Sequence, residues 1–296
     1  MIKFENIKEN TVIVVAGPTA SGKSDLAMDL ALKYGGEIIN ADSMQVYKGT
    51  PIISAVPSIN DMSLVRHHLY EIYSPEKKGT VVEWLKLAVE TVKDIWKRGN
   101  IPVVVGGTGM YIDNLINGTT PIPETSEVIR EKVRNIDNVY EWLKENDKSA
   151  AKMLNPADIS RVRRAAEIFL QTNKSICEWY EMDMIKYLPD AQFRVVRIIP
   201  DTKEIDERCY LRFDKMMEAG ALDEVKYLDA LCLPDNLPAM KMLGVPELRS
   251  FLHNEVTLQE AVKLAKLHTR QYAKRQRTWF RNKLKAEINI NCCYKK

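Results

Sequence analysis

Residues 17–24 read Gly17-Pro18-Thr19-Ala20-Ser21-Gly22-Lys23-Ser24, a complete G-x-x-x-x-G-K-[ST] phosphate loop. Directly before it stands the apolar, β-branched run Thr11-Val12-Ile13-Val14-Val15-Ala16. After it, Leu26, Ala27, Leu30 and Ala31 keep a helical rhythm that lasts until Gly35-Gly36. Strand, glycine loop and helix in that order give the motif the context it needs. Backbone N–H groups of such a loop, gathered at a helix N-terminus, cradle phosphate oxygens. Lys23 is placed to reach a terminal phosphate, and the Ser24 hydroxyl to hold Mg²⁺. Residues 17–24 are therefore the expected seat of a di- or triphosphate. The loop alone does not separate a nucleotide from another diphosphate.

Working outward, five runs read as buried strands: residues 12–16, 37–41, 68–73, 102–106 and 194–199. Helical patterns separate the first strand from the second and the third from the fourth; the latter, at 81–97, carries Trp84, Leu85, Ala88, Val92 and Ile95 on one face. This alternation implies right-handed crossovers and a parallel sheet. The pattern changes after Pro121-Ile122-Pro123: no strand signal appears before Pro189, only amphipathic helical stretches rich in Lys, Arg and Glu. From Lys203 onward the chain again reads helical. The expected fold is α/β. Residues 1–123 and 190–296 form a parallel-sheet core of the phosphate-loop nucleoside-triphosphate-hydrolase type, with a helical C-terminal region. Residues 124–189 form an inserted all-helical domain.

With 296 residues, 45% of them hydrophobic, the chain can bury a large core, and its 28% charged residues do not point to disorder. Its one apolar run near the N-terminus is too short for a signal-peptide core, so no export or membrane segment is expected. Five cysteines without paired spacing fit a reducing compartment, and a cytoplasmic monomer is expected. His67 and His68 read as packing or capping groups. The charge is uneven. Eight cations and no acid lie between Lys266 and Lys285; the chain is +3, so the remainder is −5. Tyr272, Trp279 and Phe280 interleave with these cations, a pattern that favours polyanion contact over a plain solvated face.

In open parallel sheets, ligands bind outside the carboxyl ends of the strands. Asp42 leaves the second strand there, as a carboxylate able to accept a proton or as a turn residue. Gly106-Gly107-Thr108-Gly109 leaves the fourth strand at the same edge, with glycines that permit close backbone approach. Arg161 and Arg164 share a helix face in the insertion, either for an anion or as a surface patch paired with Glu167. Arg208 and Arg212 stand four apart after the fifth strand, where one of them can neutralise a leaving pyrophosphate.

Taken together, these segments resemble the tRNA dimethylallyltransferase (tRNA isopentenyltransferase) family. The matching stretches are residues 17–24, Ala-Asp-Ser-Met-Gln-Val-Tyr-Lys-Gly at 41–49, His67-His68-Leu69 and Gly-Gly-Thr-Gly-Met-Tyr-Ile at 106–112. Arg161-Val162-x-Arg164-Ala165-x-Glu167, Leu243-Gly244-Val245-x-Glu247-Leu248 and the stretch from Thr269 to Trp279 complete the set, in family order. The resemblance implies transfer of a dimethylallyl group from its diphosphate to the exocyclic amine of the adenine 3′ of the anticodon. It also implies Mg²⁺ and an insertion that grips the anticodon arm of tRNA. Carried over by position, Asp42 is the general base and Thr108 sits between base and diphosphate. Lys23 and Arg212 serve the diphosphate, with Arg208 as the second choice. Asp42, Ser43, Met44, Gln45, Thr108, Arg130, Ser160, Arg161, Val162, Arg163 and Arg164 contact tRNA. Residues 50–57 depart from the family's usual Gly-Thr-Ala-Lys-Pro ending, and Lys241 stands where others carry Gln or Arg. Two rivals explain the loop: a small-molecule kinase using ATP with Asp42 activating a hydroxyl, and a non-catalytic NTP-binding, RNA-binding module. Both leave either the insertion arginines or Asp42 without a task.

Overall fold

The computed structural model describes residues 2–295. Its strands are β1 (Thr11–Ala16), β2 (Gly36–Asn40), β3 (His67–His68), β4 (Ile101–Gly106), β5 (Gln192–Ile198) and β6 (Ile288–Ile290). They form one parallel sheet in the order β3-β2-β4-β1-β5-β6. Every residue of β1 and β4 is buried, as expected of β-branched runs covered by helices on both faces. Leu26, Leu30 and Ala31 of helix Lys23–Tyr34 pack on Ile13, Val15, Ile38 and Val103 to make the main core. Helix Val81–Lys97 buries Trp84, Leu85, Ala88, Val92 and Ile95.

Two expectations are corrected. The third strand ends at His68 rather than continuing to residue 73, because Leu69 and Glu71 take φ of 65° and 48° and turn the chain. Asn40 Nδ2 donates to the Leu69 carbonyl at 3.0 Å and fixes that turn. The C-terminal region is not helical throughout, since β6 adds a short edge strand beside β5. Three residues, Ile-Asn-Ile, are too few for periodicity to announce them.

At the amino end of β2, Glu37 is 4% exposed and serves the fold. Arg98 donates to it through Nε (3.0 Å) and Nη2 (2.8 Å), Asn100 through Nδ2 (2.8 Å), and His68 Nε2 lies 2.6 Å away. Burial alone would raise this carboxyl; the donors outweigh it and hold its pKa at about 2.

Asn117–Tyr187 cluster as a second compact unit, while residues up to Ile116 and from Leu188 onward form the first. Five helices build this second unit: Glu127–Arg134, Val139–Asn146, Lys148–Met153, Ile159–Thr172 and Ile176–Tyr180. Each begins at a side chain that accepts a backbone N–H of its first turn: Ser126, Asn138, Asp147, Asp158 and Ser175. The unit has its own core, with Val133, Leu143, Val162, Ala165 and Ile168 at 0–1% exposure. Among the described residues, no helix is long and apolar enough to cross a membrane.

Candidate active site

The loop after β1 wraps into helix Lys23–Tyr34 through Gly22, which has φ of 83° and caps the helix. A Cβ at Gly22 would collide with the carbonyl of Tyr294, whose N–H donates to Ser21 O at 2.8 Å. The phosphate loop is therefore held from outside by the C-terminal segment as well as by its own turn. On the inner side, Thr19 N–H donates to Gln276 Oε1 (2.9 Å), and Gln276 Nε2 donates to Gly107 O (2.8 Å). One buried amide from the helix Leu258–Lys283 thus ties the loop after β1 to the loop after β4.

Lys23 is half-buried, with Asp42 and Arg212 as its charged neighbours. Burial lowers its pKa to about 8; Asp42 pulls it upward and Arg212 pushes it further down. Its Nζ donates to the Pro18 carbonyl at 3.4 Å. Arg212 comes from helix Thr202–Glu218, and its Nη1 donates to Thr19 Oγ1 at 3.2 Å. Arg208, one turn earlier, donates instead to the Tyr294 carbonyl at 3.2 Å.

Asp42 leaves the carboxyl end of β2 in a turn fixed by Asn40. Asn40 is fully buried; its Oδ1 accepts Asp42 N–H (2.8 Å) and its Nδ2 donates to Asp42 O (3.1 Å). Trp84 Nε1 closes the set by donating to the Asn40 carbonyl at 2.9 Å. Asp42 Oδ1 accepts Met44 N–H at 3.0 Å, and Oδ2 faces Gly107. Thr108 buttresses the next residue: its Oγ1 accepts Ser43 N–H (2.9 Å) and donates to Ser43 Oγ (3.2 Å).

Thr19, Lys23, Asp42 and Arg212 line one cavity of about 270 Å³. Its remaining walls include the apolar side chains Met44, Ile53, Phe213, Met216, Met242 and Leu243, and it is also bordered by Gln45, Lys241 and Tyr272. A second cavity of about 340 Å³ shares Lys23 and Arg212 and adds Ser24, Arg208 and Lys215. The arrangement offers cations for an anionic group, apolar walls for a hydrocarbon and a carboxylate for a proton.

Several candidate RNA contacts are engaged within the protein. Gln45 Nε2 donates to the carbonyls of Ser54 (3.0 Å) and Ala55 (2.6 Å). In the second unit, Ser160, Arg161 and Arg163 are exposed, and Arg161 Nη1 sits 2.5 Å from Asp158 Oδ2. Arg164 donates to Thr125 Oγ1 (2.6 Å) and to Glu167 Oε2 (3.3 Å), and Arg130 pairs with Glu127 at 3.6 Å. Val162 is corrected. It is 0% exposed in that unit's core, so its side chain packs rather than meeting RNA. On helix Leu258–Lys283, Lys266 pairs with Asp214, Arg270 with Asp206, and Arg277 donates to Pro200 O. Lys274, Arg275 and Lys283 instead line a shallow depression with Gln271, Trp279 and Asn282.

Asn40 and Gln276 escaped the sequence reading. Gln276 lies inside a quoted motif and Asn40 directly before one, but nothing in spacing says that a buried amide there holds two loops. Glu224 also escaped it; it accepts the N–H groups of Ile52 and Ile53 at 2.8 Å each.

The family described as IPP transferase matches residues 45–283. A tRNA dimethylallyltransferase of Rickettsia massiliae is 42% identical over 289 residues, covering 96% of this chain and 80% of that protein. The full-length tRNA isopentenylpyrophosphate transferase of Bacillus halodurans superposes with a TM-score of 0.71 at 30% identity, over 96% of this chain and 90% of that one. A eukaryotic dimethylallyltransferase, solved acting on tRNA, gives a TM-score of 0.81 at 29% identity, over 92% of this chain and 70% of that one. A phosphate loop, an apolar cavity and a carboxylate in one place, matched along nearly the whole chain, put this protein in the IPP transferase family, the tRNA dimethylallyltransferases.

Proposed function

We infer that this protein transfers the dimethylallyl group of dimethylallyl diphosphate to the N6 amine of the adenine 3′ of the anticodon in tRNA. The observation that carries this reading is the single cavity in which Lys23, Arg212 and Asp42 meet an apolar wall. A non-catalytic binding module would need no carboxylate facing the same cavity as these cations.

The diphosphate lies against the loop N–H groups, Lys23 and Arg212, with its prenyl carbons toward Ile53, Phe213 and Met242. Adenine N6 is a poor nucleophile because its lone pair is delocalised into the ring. As N6 bonds to the allylic carbon, the carbon–oxygen bond breaks and its electron pair leaves with the diphosphate. Asp42 takes the N6 proton. Lys23 and Arg212 stabilise the charge that develops on the leaving group. Thr108 acts by holding Ser43 and hence the Asp42 turn. Arg212 is favoured over Arg208 for the diphosphate, because it lines both cavities with Lys23 while Arg208 lines the second alone.

A divalent ion fits the loop's chemistry. Ser24 supplies a hard hydroxyl oxygen at a cation-lined cavity, and among the described residues no cluster of three His, Cys, Asp or Glu makes an all-protein cage. Mg²⁺ suits such a site, since it is usually held by one or two protein oxygens plus substrate phosphates. When bound, it would neutralise diphosphate charge. For tRNA, the exposed cations around Arg161 and Arg163 and the strip around Lys274, Arg275 and Trp279 supply backbone and stacking contacts. These offset the few kcal/mol needed to draw the adenine out of its stack.

Asp42→Asn tests the assignment of the base. The amide keeps the shape and the Met44 contact but cannot accept the amine proton. Single-turnover transfer at saturating donor and tRNA should slow by about 10²–10⁴-fold with donor affinity preserved. A loss under about tenfold would make Asp42 a turn residue.

A further inference from the structure

Beyond β6 the chain is fastened residue by residue. Cys293 N–H donates to Glu204 Oε2 on helix Thr202–Glu218 at 3.0 Å. Tyr294 N–H donates to Ser21 O at 2.8 Å, and the Tyr294 carbonyl accepts Arg208 Nη1 at 3.2 Å. The Tyr294 hydroxyl donates to Asp29 Oδ2 on helix Lys23–Tyr34 at 2.7 Å, and its ring packs against the main core. One short segment thus touches the phosphate loop, the helix that follows it and the helix that carries Arg208 and Arg212.

Two of these contacts orient groups at the cation-lined cavity. In a trans peptide the C=O and the following N–H share one plane and point opposite ways. With the Ser21 carbonyl held toward Tyr294, the Gly22 N–H is turned to the far side. Gly22 lines the cavity of Lys23, Ser24, Arg208 and Arg212. A glycine offers no Cβ to resist rotation of that peptide. Here the Tyr294 main chain supplies the restraint, lying so close that a Cβ at Gly22 would strike its carbonyl. Arg208 is fixed in the same way. A guanidinium carries five N–H donors in one rigid plane. One bond to the Tyr294 carbonyl sets that plane and leaves the other donors for an anion in the cavity that Arg208 lines.

We propose that Tyr294 is a positioning residue for the donor: its main-chain N–H and C=O hold the Ser21–Gly22 peptide and the Arg208 guanidinium ready for a diphosphate. The tail is then a clasp whose closure and donor binding strengthen each other. This rests on the reading above, in which the diphosphate lies against the loop. A loop ordered before binding loses less entropy when the donor arrives. By linkage, a donor that needs the ordered loop holds the tail closed by the same factor.

The reporter is Cys293, 4% exposed and next to Tyr294, which iodoacetamide reaches only when the tail lifts. A Cys292→Ser protein keeps one tail thiol, and exposed Cys232 serves as the reference. Couplings between sites are typically about 5–150-fold, so saturating dimethylallyl diphosphate with Mg²⁺ should slow Cys293 alkylation by about tenfold and leave Cys232 unchanged. Tyr294→Pro, which lacks the N–H and the ring hydroxyl, should raise donor KM by about tenfold or more. Its kcat and its KM for tRNA should move less than about threefold, a split that general destabilisation does not produce. Tyr294→Phe keeps both main-chain contacts and should stay within about threefold of wild type. If circular dichroism shows Tyr294→Pro to be unfolded, Cys293 protection decides. Donor that binds by calorimetry without slowing Cys293 alkylation, or a folded Tyr294→Pro with unmoved donor KM, would overturn the clasp alone. A wild type that binds no dimethylallyl diphosphate would overturn the reading on which the clasp rests.

Discussion

At the scale of single residues, Lys23 shows how the site balances cost against use. An ammonium half-buried beside Arg212 is disfavoured, and its pKa falls to about 8. The unfolded chain therefore holds that proton more tightly than the fold does. As the pH rises from about 8 toward the unfolded value of 10.5, this one group's penalty on the empty fold is relieved, while the same deprotonation removes the charge that a diphosphate needs. Since kcat/KM reports groups of the free enzyme, kcat/KM for the donor should fall about tenfold per pH unit above about 8. A donor profile flat to pH 10 would mean that Lys23 is not the cation the donor meets. Asp42 complements this. It is the acid whose charge both Lys23 and Arg212 feel, held in position by the buried Asn40.

At the scale of elements, the site depends on helices distant in sequence. Thr19 and Gln276 lie 257 positions apart and are joined by one hydrogen bond. Gln276→Leu keeps volume and helix propensity but strands the Thr19 N–H and the Gly107 carbonyl. Each unsatisfied buried group costs about 1–3 kcal/mol. The variant should thus lose about 2–6 kcal/mol in urea unfolding, and its donor KM should rise several-fold. A change under about 0.5 kcal/mol would show the clamp to be dispensable. This distance in sequence also explains what was legible. The central strands and the phosphate loop announce themselves, because runs such as Val12–Val15 and the spacing of Gly17, Gly22 and Lys23 are local signals. Asn40, Glu224 and Gln276 reach segments 29, 172 and 257 positions away, which no period encodes. The third strand was overread past His68 because Leu69-Tyr70 looks strand-like, yet positive φ at Leu69 ends the pairing. β6 was missed for its brevity.

At the scale of the whole molecule, the parallel order of the sheet places the ends of β1, β2 and β4 at one edge, so loop, carboxylate and glycine turn meet there. Basic residues gather elsewhere. Lys274, Arg275 and Lys283 line a strip with Trp279, and Arg161 and Arg163 stand exposed on the second unit. The central claim is that one site joins a prenyl diphosphate to a tRNA base. Its most direct test is to incubate the protein and Mg²⁺ with unmodified tRNA and dimethylallyl diphosphate labelled in the prenyl group, and in parallel with labelled ATP. The account predicts label on the adenine 3′ of the anticodon, one equivalent of diphosphate released per label, and no transfer from ATP. Label that stays in the diphosphate while ATP is consumed would contradict it.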